Sequence, residues 1–336
     1  RGLGDVYKRQ GLVCISEQLK SINKDIAFRT MTRKRFNDLT KSHSREFAIQ
    51  ELSERILINI EVTSLVIDHC EQKNIDHYRL TCAGFPLITD PTLDLSYEKL
   101  HNHAQITADL AKLGEQIRNS SVSVGSHPDQ FNVLASLNEA SVIKTIAELN
   151  FQTSIIDKIN MPKDYSVPVN IHVNASPSNK KASLTEQIAE LGDRFYNGFK
   201  QCNDSVRNRL TIENEDKGFF SVQNILLFHQ YLKDTYDVAI PICYDNLHDV
   251  CNNTCYNDVE TNMNLCLETW PTDVEPVFHW SEGKDDKIRS HRDYYTNYYF
   301  PPTAHRPIKW ECEVKAKDYA ICKLQEQYEA QYTILV

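Results

Sequence analysis

Eight short apolar segments, with helical segments in most of the gaps between them, constrain this chain more than any other feature. They are GLVCIS (11–16), IDHYRLTC (75–82), SVSVGSHP (121–128), VPVNIHVN (167–174), RLTIENED (209–216), VAIPICYDN (238–246), EPVFHWSE (275–282) and IKWECEVK (308–315). Each has the length and composition of a strand. Residues 97–119 and 184–202 are of helical type, and from Phe47 to Cys70 apolar residues recur at helical spacing through Leu52, Ile56, Ile60, Val62, Val66 and Ile67. Strands that alternate with helices are joined by crossovers and so run parallel. Eight such units in 336 residues predict an α/β fold, a single (β/α)8 TIM-type barrel. No low-complexity linker divides the chain, so residues 11–336 are expected to form one domain.

The first ten residues stand apart. DVYKRQ can be read back as GAT-GTG-TAT-AAG-AGA-CAG, which resembles a sequencing-library adapter, and residues 1–10 are expected to be a non-native scar. Without them the formal charge moves from −9 to about −11, since Arg1, Lys8, Arg9 and Asp5 go. That balance excludes a protein coated in basic residues but leaves room for nucleic acid in a local groove that carries bound cations. The ten cysteines contain no CxxC pair. Cys251 and Cys255 are the closest, a weak zinc signal, and reduced thiols are the expectation. No apolar run approaches a membrane span.

Polar residues concentrate where the strands end. His127 closes the third strand, His172 and Glu213 lie late in the fourth and fifth, and Asp245 and His248 end the sixth. His279 is late in the seventh, His291 follows it, and Glu313 is late in the eighth. In a barrel these ends share the C-terminal rim, where active sites are built. Any one of them has an ordinary structural explanation: Asp245 can cap the next helix, and Glu213 can be a solvated loop acid. Together they demand another, because carboxylates packed in one bowl repel unless cations compensate them. His, Asp and Glu without Cys suit Mn²⁺ or Zn²⁺, and eight ligands exceed the need of one ion. Clusters of two or three such ions catalyse displacement at phosphorus. The remaining histidines, His43, His69, His77, His101, His103, His229 and His305, are expected to be structural or exposed, and Arg79 is expected to form an ion pair inside the barrel.

The ordered set YRLTCAGFPLITDP, SVGSHPDQFNVL, VNIHVNASPSNK, LTIENEDK, CYDNLHD, VFHWSEG and ECEVKAKD resembles the ultraviolet-damage endonucleases, from about Gly11 to about Asp318. The resemblance implies a barrel related in its site to endonuclease-IV-type enzymes, which nicks duplex DNA immediately 5′ of photoproducts or abasic sites. It implies a cluster of up to three divalent ions, Mn²⁺ first, with Zn²⁺, Co²⁺ or Mg²⁺ as alternatives. Its metal-ligand positions map onto His127, His172, Glu213, Asp245, His248, His279, His291 and Glu313. Of these, Glu213, Asp245, His279 and Glu313 are expected to act in catalysis, with Glu213 bridging. Asp90 stands where the family often carries histidine and is a further candidate ligand, or else a turn residue before Pro91. Gln130 and Phe131 occupy the family's lesion-probing position. Lys180, Lys181, Lys315 and Lys317 are candidate phosphate contacts.

The expected partner is damaged double-stranded DNA, bound by a monomer without membrane association. An intracellular location, cytoplasm or nucleoid, is expected, with any targeting signal hidden by the replaced start. Three other readings stay open: an endonuclease-IV-like abasic-site enzyme, a metal-dependent sugar isomerase-type barrel, and a non-catalytic damage binder.

Overall fold

A computed structural model describes residues 9–254, 257–296 and 306–335. All eight expected strands form: β1 (Gln10–Val13), β2 (His77–Leu80), β3 (Ser123–Ser126), β4 (Val169–His172), β5 (Leu210–Glu213), β6 (Ile242–Cys243), β7 (Val277–Trp280) and β8 (Lys309–Cys312). They pair in parallel in the order β6-β5-β4-β3-β2-β1-β8-β7. The two ends of that order meet through a parallel bridge between Asp245 and His279, where the His279 N–H donates to the Tyr244 carbonyl at 2.9 Å. The seam of the barrel therefore closes at two of the predicted site residues. Arg9 and Gln10 join this frame, since Gln10 opens β1 and the Trp310 N–H donates to the Arg9 carbonyl.

Period-two alternation sorts the strand residues onto two faces. Tyr78, Val124, Val169, Ile171, Leu210, Ile212, Phe278 and Trp310 join the apolar core shared with the surrounding helices. Their neighbours turn inward and are polar: His77, Arg79, Asn170, Thr211, Glu213, His279 and Glu311 are all buried and contact one another across strands. A barrel of this class is usually filled with branched apolar side chains; here a hydrogen-bonded polar column takes their place. Two glycines make room for it. A Cβ at Gly11 would lie 3.1 Å from His77 Cδ2, and one at Gly125 would lie 3.3 Å from His77 Cε1.

The long helix Arg45–Gln72 begins at Ser44, whose side chain accepts from Phe47 N, and buries Leu52, Ile56, Ile60, Val66 and Ile67. The helix Leu184–Phe199 opens with a capping box of Ser183 and Glu186. The expected helix over 97–119 is shorter: a 3-10 turn at Tyr97–Lys99 ends where Leu100 adopts extended backbone and enters the core, and the helix proper spans His103–Asn119. The polar stretch before Arg45 also holds two capped helices, Glu17–Ile22 and Arg33–Ser42, whose six and ten residues are too short to show a clear period.

Candidate metal centre

Local structure aims the predicted residues at one point. His172 and Glu213 are the last residues of β4 and β5 and stand in register with each other. His127 and Glu313 each follow their strand by one residue. Asp245 N-caps the helix Asn246–Cys251, with its Oδ1 accepting from His248 N at 2.7 Å, so that His248 rises from the first turn beside it. This cap was the ordinary explanation for Asp245, and it holds while the other oxygen of the same carboxylate faces the cluster.

Glu213 is the hub. Its Oε2 lies 3.0 Å from His127 Nε2, 2.6 Å from Asn170 Nδ2 and 3.8 Å from His172 Nε2. Its Oε1 lies 3.1 Å from both His248 Nδ1 and His279 Nδ1. The ring centroids of His127 and His172 are 5.2 Å apart, those of His127 and His279 5.5 Å, and those of His172 and His248 5.7 Å. Burial opposes charge on Glu213, yet the imidazoles of His279, His172, His127 and His248 outweigh it and hold the carboxyl well below its ordinary range. Burial likewise opposes charge on Glu313, which Arg79 and His279 reverse. Burial is the largest influence on His172 and leaves its imidazole below the usual value. His248 and His279 are raised well above theirs despite burial: Asp245 and Glu213 hold the proton on His248, and Glu213 and Glu313 that on His279.

Among the described residues three ligand sets emerge, each with its atoms within 4.8 Å of one another: His127 with Glu213 and His279, His172 with Glu213 and His248, and Asp245 with His279 and Glu313. Glu213 and His279 each belong to two. The test of whether a cation fits is Asp245 Oδ2. It is fully buried and accepts no hydrogen bond, with His279 Nδ1 at 3.6 Å and His248 Nδ1 at 4.0 Å. A buried carboxylate oxygen without a donor is costly, and a divalent cation among these sets relieves it. The donor chemistry agrees: imidazole and carboxylate predominate, and the nearby Cys243 thiol is pushed up to about 12 by burial and stays protonated at neutral pH.

A family profile described as UV-endonuclease UvdE matches residues 8–334. The chain belongs to that family. Among curated relatives, a UV DNA damage endonuclease of Nostoc sp. is 27% identical over 321 residues, which are 94% of this chain and 88% of the relative. One from Bacillus cereus strain B4264 is 24% identical over 310 residues, 90% and 89% of the two chains. The crystal structure of SacUVDE has the same fold, with a TM-score of 0.75 and 22% identity over 96% of this chain and 99% of that one. Endonuclease IV from Thermus thermophilus shares the barrel at a TM-score of 0.51 and 11% identity, over 80% and 94%. Family membership makes the chain a DNA endonuclease and decides against the sugar-isomerase and non-catalytic readings.

Not every predicted residue of the endonuclease joins the cluster. Asp90 is outside all three ligand sets. Its Oδ1 accepts from Thr92 N at 2.9 Å and Thr92 Oγ1 at 2.6 Å, and its Oδ2 from Arg33 Nε at 2.6 Å, so the turn reading describes it and the ligand reading does not. His291 is also outside the three sets: it pairs with Gly283 across the seventh loop and bonds through Nδ1 to the Glu313 carbonyl, a bond that does not involve Nε2. Phe131 is 74% exposed at the loop tip, held there by an Asx turn in which Asp129 Oδ1 accepts from Phe131 N at 3.0 Å. Gln130 lines a cleft of ≈ 510 Å³ with His172, Asn174, Glu215 and His248. Lys180, Lys181 and Lys315 are exposed and Lys317 is half-buried, all in loops on the C-terminal side of the barrel.

Reading strand ends alone missed the layer beneath. Arg79 forms the expected ion pairs, with Glu311 and Glu313. Glu311 itself went unassigned, and His77, bonded to it at 3.1 Å, was expected only to be structural or exposed. Alternation was the available signal: Glu311, His77 and Asn170 sit two residues from Glu313, Arg79 and His172 on the same strands, and therefore on the same face. His69 and His229 are structural as expected, with His69 Nε2 3.0 Å from Asp318 and His229 Nδ1 2.7 Å from the Ile240 carbonyl. The nine described cysteines are free, Cys255 and His305 lying outside the described residues.

Proposed function

We propose that this endonuclease nicks damaged duplex DNA on the 5′ side of ultraviolet photoproducts by divalent-cation-assisted hydrolysis of the phosphodiester. The observation that carries the reading is the meeting of four imidazoles with Glu213, Asp245 and Glu313 at one end of the barrel, one carboxylate oxygen buried without a donor. Bound divalent cations, Mn²⁺ first among the candidates, supply the positive charge that stabilises the phosphate as it is displaced. His127, His172, Glu213, Asp245, His248, His279, His291 and Glu313 would hold them. Glu213 faces His127 and His172 through Oε2 and His248 and His279 through Oε1, and so ties together the two ligand sets that share it. His127, with Nδ1 3.0 Å from the Pro128 carbonyl, is oriented so that Nε2 faces Glu213.

Phe131 projects beyond the rim and is placed to enter a duplex where damaged bases have left the stack, a displacement that costs a few kcal/mol and least at a damaged step. The rim lysines meet the phosphate backbone. Every ligand comes from one barrel, which supports action as a monomer. The test is incubation of irradiated and unirradiated supercoiled plasmid with Mn²⁺ or with EDTA, followed by mapping of the cut end on a defined lesion. Nicking that requires both irradiation and metal supports the proposal. Equal nicking of both plasmids refutes damage selectivity, and cleavage only of duplex carrying an abasic site favours the endonuclease-IV-like reading.

A further inference from the structure

His279 contributes to two of the three ligand sets, and only one of its nitrogens faces them. Nδ1 lies 3.1 Å from Glu213 Oε1, 3.6 Å from Asp245 Oδ2 and 3.8 Å from Glu313 Oε1. Nε2 points down the barrel toward two groups of opposite character: Arg79 Nη2 at 2.7 Å and Glu311 Oε2 at 3.1 Å. A guanidinium can only donate and a carboxylate can only accept. If Arg79 holds the Nε2 lone pair, the proton of the neutral ring sits on Nδ1, and no lone pair faces the carboxylates. If Nε2–H donates to Glu311, Nδ1 is free to bind a cation. The two neighbours compete, and the outcome sets whether His279 is a ligand.

We propose that Glu311 is a positioning residue for the metal centre: it takes the Nε2 proton of His279, draws the Arg79 donors onto itself, and so keeps the Nδ1 lone pair turned to the cation. Three features favour Glu311 in this competition. Arg79 donates to Glu311 through Nε and pairs with it through Nη2, while Nη1 goes to Glu313, so the guanidinium is occupied by carboxylates. The other Glu311 oxygen is taken by His77 Nε2 at 3.1 Å, and His77 Nδ1 lies 2.9 Å from Ser123 Oγ, so Oε2 is the oxygen that faces His279, shared there with the Arg79 donors. Both Glu311 and His77 are buried, with Gly11 and Gly125 opening the space that the second imidazole needs. A carboxylate behind a ligating histidine fixes its orientation and strengthens it as a ligand, and loss of such a partner typically weakens metal binding 10- to 100-fold.

This inference rests on the proposed metal centre, and the experiment separates the two. Mn²⁺ is titrated into wild type, Glu311→Gln and Glu311→Leu, with the free ion counted by electron paramagnetic resonance and the fold checked by thermal melts without metal. Gln keeps an acceptor oxygen for Nε2–H, and Leu has none. Expected is a loss of about 10- to 100-fold in Glu311→Leu for the ions that share His279 and a smaller loss in Glu311→Gln. The visible spectrum of the Co²⁺-loaded protein should change in the Leu variant as an imidazole ligand is lost. Wild-type affinity in Glu311→Leu, or equal losses in both variants with an unchanged Co²⁺ spectrum, overturns the positioning role. Absence of Mn²⁺ uptake by wild type overturns the metal centre itself. If Glu311→Leu does not fold, Glu311→Gln decides: weakened binding with a retained melt supports the role, and unchanged binding refutes it.

Discussion

Asp245→Asn separates the two duties of one carboxylate. Oδ1 caps the helix Asn246–Cys251 by accepting from His248 N at 2.7 Å, and an asparagine oxygen does the same. Oδ2 is buried and accepts no hydrogen bond, and the amide nitrogen of asparagine would replace it. Without metal, two effects oppose each other. A buried carboxylate oxygen left unsatisfied costs about 1–3 kcal/mol, of which the neutral amide removes the part due to charge while leaving a buried N–H group in its place. The imidazole of His248 loses one of the anions that hold its proton against burial. The metal-free variant should therefore unfold within about 1 kcal/mol of wild type. With metal the result differs. An ion present at 1,000 times its dissociation constant stabilises wild type by about 4 kcal/mol; a 100-fold loss of affinity leaves about 1.4 kcal/mol. Urea denaturation with EDTA and with Mn²⁺ measures both quantities. A variant that keeps the full metal-induced gain refutes the assignment of Oδ2 as a ligand, and one that collapses without metal refutes the claim that the cap survives.

Glu213→Gln should lower nicking of irradiated plasmid by about 10³-fold with the fold retained, because the hub loses its charge and presents an amide to donors on one side; a wild-type rate on gels would contradict its central role. Phe131→Ala should weaken binding to irradiated duplex by about tenfold in fluorescence anisotropy while Mn²⁺ uptake stays constant, the order expected for a lost stacking side chain. Replacing Lys180 and Lys181 with Ala should lower the dependence of log affinity on log salt by about 1 for each phosphate contact removed, and an unchanged slope would show that they do not meet DNA. In EDTA, the raised His248 and His279 contribute stability that is complete below the ordinary histidine value of 6.5 and is lost as pH climbs through their folded values. The depressed Glu213 and Glu313 contribute stability that is present above their ordinary 4.5 and is lost as pH falls through theirs. Thermal melts of the metal-free protein should thus decline on both flanks, and Mn²⁺ should flatten the alkaline one.

The strands were legible because burial under helices leaves apolar residues at alternate positions, as at Val169 and Ile171 or Leu210 and Ile212, whatever their partners. The ligands were legible because His172, Glu213 and Glu313 stand where such patterns stop. Asp90 misled because an Asx turn and a metal ligand need the same side chain, and only the position of Thr92 and Arg33 tells them apart. Glu311 escaped, and His77 was read no further than structural or exposed, because a polar residue inside a short strand has no meaning until its face is known. Phe131 could have packed under its loop, and its exposure is a property of the folded chain.

Alone, the order of amino acids determined eight parallel units and the identity of the groups that gather at their ends, since apolar periodicity and side-chain type are written locally. Only closure of the ring decided which nitrogen of His279 faces the carboxylates, that Asp245 divides its oxygens between a cap and the cluster, and that Glu311 lies behind both. Those outcomes depend on distances of a few ångströms between residues two hundred or more positions apart, where the direction of a hydrogen bond is set by whichever neighbour the barrel brings near.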